Sequence, residues 1–145
     1  MRLRFALVPA TVVALAASGC GGATTNNNTT DKFTGQQKVI AQTVEDLQTA
    51  TEKSNETKIC GSLITTQLQQ QIAAKAGAKG CAAAVNSAIK NSDQADLTVK
   101  SVTIDPSDPA KATAVVNEKT DKNRSRTVTL QFAKQGTSWR ISSLS

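Results

Sequence analysis

Three cysteines, eleven carboxylates and no histidine or tyrosine set the chemistry open to this 145-residue chain. Without imidazole the commonest general base and metal ligand is missing, and neither a serine–histidine nor a cysteine–histidine nucleophile can be assembled. Zinc would depend on thiolates and carboxylates alone, and no Cys-x-x-Cys pair exists, so no metal or other cofactor is expected. Glu45, Asp46 and Glu52 lie off the apolar stripe of the helix that carries them and read as a solvated face. Glu118 is the one candidate catalytic carboxylate, and pairing with Arg126 is its simpler role.

The first cysteine closes a short apolar run. Arg2 and Arg4 precede a stretch from Phe5 to Ala17 that is apolar apart from Thr11, and small residues follow. This is the layout of an export leader, too short for a membrane span of roughly 20 residues. Ala17-Ser18-Gly19-Cys20 resembles the bacterial lipobox, with Ala17 where leucine is usual. The resemblance implies a leader over 1–19 and a diacylated Cys20 as the new N-terminus. Two acyl chains suffice for stable anchoring at about 0.8 kcal/mol per buried methylene. The alternative is secretory cleavage after Ala16, which would leave Cys20 as an odd free thiol. The expected location is the outer side of the cell membrane.

Loss of the leader removes Arg2 and Arg4, so the formal charge of +6 falls to +4. A mild basic excess suits anionic headgroups or envelope polymers. Export and the 3% aromatic content both argue against nucleic acid. Residues 20–32, rich in Gly, Thr and Asn, read as a flexible tether. Residues 33–145 are enough for one small domain. Cys60 and Cys81 are the thiols that remain, and an exported chain meets oxidising conditions, so a disulfide between two helices is expected. Its loop would contribute about 3 kcal/mol in the chain-entropy picture. The alternative is two separate buried thiols.

The elements that position these residues follow from periodicity. Thr34-x-x-Gln37 fits a capping box opening a helix to about Ser54, with Ile40, Val44, Leu47 and Thr51 on one face and Val39 and Ala50 beside it. Cys60, Leu63, Ile64, Leu68 and Ile72 continue a helical period, with a break near Thr65 and a restart at Thr66-x-x-Gln69. Gly77 and Gly80 close that helix. Cys81, Val85 and Ala88, with Ile89 alongside, form the face of a third.

From Leu97 the period is two. Leu97 and Val99 have one parity while Val102 and Ile104 have the other, which predicts a bulge near Lys100-Ser101. Folding the chain about Lys122 sets Ala112 opposite Phe132, Ala114 opposite Leu130, Val116 opposite Val128 and Glu118 opposite Arg126. A second fold at Gln135-Gly136 sets Phe132 opposite Trp139 and Leu130 opposite Ile141. The apolar sets of all three strands then share a face. The expected fold class is α+β, with N-terminal helices packed on one face of a bent antiparallel meander.

Helices followed by a bent sheet ending in Gly136-x-x-Trp139-Arg140-Ile141 resemble the nuclear transport factor two-like, or SnoaL-like, cone; a cystatin-like arrangement is the neighbouring alternative. The resemblance covers 33–145. It implies a space between sheet and helices that can hold a small ligand, lined here by Val102, Val116, Val128, Leu130, Phe132, Trp139 and Ile141. Enzymes of that group place acids or bases inside, and none of these positions is ionisable. The expectation is a non-catalytic envelope module binding a small apolar ligand or another envelope protein. The alternatives are an isomerase- or dehydratase-like enzyme acting through Glu118, and a purely structural accessory domain. Lys119, Lys122, Arg124 and Arg126 form a basic hairpin tip that could touch an anionic surface, each cation there contributing ~1 kcal/mol.

Overall fold

Alternating apolar and polar residues build four strands in a computed structural model, which describes residues 29–145. These are β1 (Ala95–Ile104), β2 (Lys111–Thr120), β3 (Ser125–Gln135) and β4 (Ser138–Leu144), antiparallel in the order β1-β2-β3-β4. The expected leader, Cys20 and the expected tether as far as Asn28 lie outside the described residues. The parity switch in β1 is a bulge: the register shifts between Val99 and Ser101, so Val99 and Val102 both point inward, at 0% and 5% exposure.

The β2–β3 register is the expected one, from Ala112 opposite Phe132 to Glu118 opposite Arg126. Its turn closes with the Thr120 N–H donating to Arg124 O at 2.8 Å and Asn123 at φ +55°, the left-handed residue of a three-residue hairpin loop. The last hairpin differs from expectation by two residues. Phe132 pairs with Ile141 rather than Trp139, and Trp139 pairs with Lys134. The turn is Gly136-Thr137, between paired Gln135 and Ser138, and Gly136 takes the positive φ (+62°) that a side chain would resist. An even shift leaves each side chain on its face, so Trp139 and Ile141 stay buried. Beyond a further irregularity between Gln131 and Phe132, Leu130 faces Leu144 rather than Ile141.

Among the described residues there are four α-helices: α1 (Gly35–Glu52), α2 (Glu56–Lys58), α3 (Thr66–Lys75) and α4 (Cys81–Lys90). The capping box does not form. Thr34 precedes α1 without a side-chain cap, and Gln37 instead donates to Val102 O at 2.9 Å. Eleven residues on, Gln48 Oε1 accepts from Leu97 N–H at 2.8 Å. Eleven helical residues and five strand residues both advance about 16 Å, so two glutamines clamp α1 antiparallel along edge strand β1. They also occupy backbone groups that an exposed edge would offer to another chain.

The stretch read as one interrupted helix is three pieces. α2 runs into a π-helical turn over Ile59–Leu63, Ile64 is extended and bridges Ile141, and Thr65 N–H donates to Ile141 O at 2.9 Å. The cap of α3 is Thr65, whose Oγ1 accepts from Leu68 N–H, and Gln69 reaches back to Cys60 O. The wide turn and the extended Ile64 bring Ile59, Cys60, Leu63 and Ile64 inward. In α4 the buried residues are Ala84 and Val85, with Cys81 and Ile89 half-buried; Ala88 faces out. The last residues of the expected tether are also built in, because Thr29–Lys32 forms a 3-10 turn with Thr30 buried.

Candidate functional site

Because Ala95 pairs with Thr120, the residues before β1 must meet the tip of the β2–β3 hairpin. α4 ends at Lys90, and Asn91–Gln94 crosses to the sheet, where Asp121 N–H donates to Gln94 O at 3.3 Å. Asp93 ties the crossing down with both oxygens. Lys122 Nζ donates to Oδ1 and Arg124 Nη2 to Oδ2, each at 2.7 Å. Alongside, Arg126 forks onto Glu118 through Nε (2.9 Å) and Nη2 (3.1 Å).

These residues wall a cleft of about 810 Å³ between Asn91–Asp93 and the hairpin. Its lining contains no apolar side chain. The charges are layered. The side chains of Asp93 and Glu118 are 25% and 17% exposed, whereas those of Lys122, Arg124 and Arg126 are 64%, 71% and 73% exposed. The acids form the floor and the cations the rim, so the face met by an approaching molecule is positive. The hydrogen bond from Lys122, aided by Arg124, holds the Asp93 carboxyl below its ordinary range despite some opposing desolvation. A smaller void of about 100 Å³ shares Ser92 and Asp93 and lies against Gln48, Thr51 and Ile89.

The expected apolar pocket is a packed core. Val102, Val116, Leu130, Phe132, Trp139 and Ile141 are 1–5% exposed and pack with Ile40, Val44, Leu63 and Leu68, while Val128 is half-buried. Surfaces covered to that extent leave no space for a ligand against them. Trp139 satisfies its one donor on Gln36 Oε1 at 2.6 Å, and Lys134 Nζ stands 5.9 Å from its ring centroid. Glu118 is engaged on both oxygens by Arg126. Of the four basic tip residues, Lys122, Arg124 and Arg126 line the cleft; Lys119 points to the opposite face and does not.

Cys60 and Cys81 form a disulfide with Cα atoms 6.1 Å apart, joining the π-helical turn to the start of α4. Cys20, the expected lipidation site, lies outside the described residues. Sequence reasoning missed Asp93, the residue that organises the cleft. Its partners lie 29 and 31 positions later, and only the β1–β2 register, had it been derived, would have placed them together.

Among the described residues no three His, Cys, Asp or Glu side chains group closely enough to hold a metal ion, and no helix is long and apolar enough to cross a membrane. Compared with protein-family models and with curated proteins, the chain matches none.

Proposed function

We propose that this chain is an exported lipoprotein anchored through Cys20, whose domain is a non-catalytic module that binds a partner of the cell envelope through its surface. The polarity of the domain carries the reading. The tether enters where Phe33 N–H closes onto Thr30 O and α1 begins beside Val102; the hairpin cleft lies at the other end of α1. At 18 residues, α1 separates the two by about 27 Å. In an anchored chain the cleft is therefore the end of the domain remote from the attachment point. The disulfide suits an oxidising compartment, and the order of helices and bent sheet supports a place beside the nuclear transport factor two-like group. A binding role fits a filled interior and a polar cleft better than a proton-shuttling enzyme does, since that chemistry needs an acid or base facing an enclosed ligand.

Mass spectrometry of the protein extracted from its host tests the anchor. The expected species begins at Cys20 and carries a diacylglycerol increment, and Cys20→Ser releases the protein from the membrane fraction. An unmodified chain cleaved after Ala16 would overturn it. Cross-linking through cysteines introduced at Ser92 or Thr120 tests the binding role; the expected result is an envelope component captured there and not from a cysteine at Ser107, on the tether side.

A further inference from the structure

We infer that the hairpin cleft binds a phosphodiester of a polyol, carried by a soluble or wall-bound polymer rather than by the membrane of the anchor. The inference rests on the envelope-module reading and names its ligand. Three observations converge. First, the lining carries three cations and two carboxylates, a balance of +1 that a phosphodiester monoanion neutralises. Second, each cation keeps unspent donors at the rim. Arg126 uses Nε and Nη2 on Glu118, Arg124 uses Nη2 on Asp93, and Lys122 directs one bond to Asp93. The remaining N–H groups are held beside the cleft by the acids beneath, a pre-oriented arrangement for phosphate oxygens.

Third, the hydroxyls are arranged to accept. Ser92 Oγ–H donates to Ala88 O (2.6 Å) and Thr120 Oγ1–H to Arg124 O (3.4 Å). Their protons are spent and their lone pairs are left. A ligand matching this wall brings its own O–H donors beside a single negative charge, which is the chemistry of a glycerol or ribitol phosphodiester. The absence of apolar side chains in the lining removes the anchor that an amphipathic peptide or acyl chain would need.

The test uses the full lipidated chain in non-ionic detergent, titrated calorimetrically with glycerophosphoglycerol and with poly(glycerol phosphate). Both are expected to bind, the polymer more tightly, and raised salt weakens both. Arg124→Gln, which leaves Asp93 with Lys122, is expected to weaken binding about tenfold, the effect of one charge-assisted hydrogen bond. The paired change Glu118→Gln with Arg126→Gln keeps the net charge of the lining at +1 and is expected to do the same. Lys79→Gln removes one charge at the far end of α4 and is expected to change nothing. No binding by the parent chain would overturn the proposal. So would equal losses in Lys79→Gln and Arg124→Gln, or binding only to phosphatidylglycerol vesicles. Mass spectrometry of the same preparation separates the two readings: phosphodiester binding by an unlipidated chain would leave this site standing and remove the anchor.

Discussion

Where α1 begins, the domain closes through short-range bonds. The turn after β1 joins Asp105 N–H to Lys111 O at 2.9 Å and Lys111 N–H to Asp108 O at 2.8 Å, while Asp105 Oδ1 accepts from both the N–H and the hydroxyl of Ser107. Trp139 seals the core under α1. At the other end, closure depends on charges brought from 29 and 31 residues away, Lys122 and Arg124 on Asp93, with cations mostly in water. Bonds within one turn and apolar contacts depend little on salt, although this turn also carries the exposed Lys111–Asp108 pair at 3.1 Å. Exposed ion pairs are each worth little, are screened, and exchange partners readily. One end is closed by its own turn and core; the other is held by exposed charges that salt screens, which makes it the more adaptable.

Substitutions can break that contrast. The largest effect is expected from Phe132→Ala, which empties a site that is 1% exposed and costs about 3–5 kcal/mol. The loss, read from urea denaturation, should be the same in low and high salt; a loss that shrinks with salt would mean that charges hold the core end as well. Next comes the double change Cys60→Ser and Cys81→Ser, expected to cost about 3 kcal/mol. Because α4 leads directly to Asn91–Asp93, it should also raise amide exchange along that crossing. Trp139→Phe follows, at about 1 kcal/mol for the lost Gln36 bond, with the hairpin end unchanged in its exchange pattern.

The sequence made the sheet more legible than the helices, for physical reasons. Alternation over β2 and β3 fixes the apolar face, folding about Lys122 then sets small residues opposite large ones and Glu118 opposite Arg126, and the parity switch at Lys100 admits only a bulge. The last hairpin escaped because a shift by two keeps the same faces, so burial could not distinguish Phe132 opposite Trp139 from Phe132 opposite Ile141. In the Cys60–Ile72 stretch, the apolar spacing fitted a helix even where a π-helical turn and an extended Ile64 accomplish the same burial. Cys60 and Cys81 were legible as a pair by elimination. The cleft was half legible: its cations stood out as a cluster, but Asp93 sits in an unremarkable polar crossing, and the pocket expected on the dry face is filled by its own side chains.

The finest test compares Asp93→Asn with Asp105→Asn. Both carboxyls are held below the ordinary value of 3.8 in the folded protein, Asp93 first by the hydrogen bond from Lys122 and Asp105 first by the hydroxyl of Ser107. A depressed folded value means that each contributes stability above its unfolded value, and that the contribution disappears as pH falls through the folded one. The melting temperature of the parent should therefore fall more steeply below about pH 4 than that of either variant. Salt separates the two. Near neutral pH the deficit of Asp93→Asn should shrink as salt is raised, because its partners are cations exposed to screening ions. The deficit of Asp105→Asn should persist, because its principal donors are the neutral O–H and N–H of Ser107. If both deficits respond alike to salt, the two ends are held by the same forces and the hairpin end loses its claim to be the adaptable one.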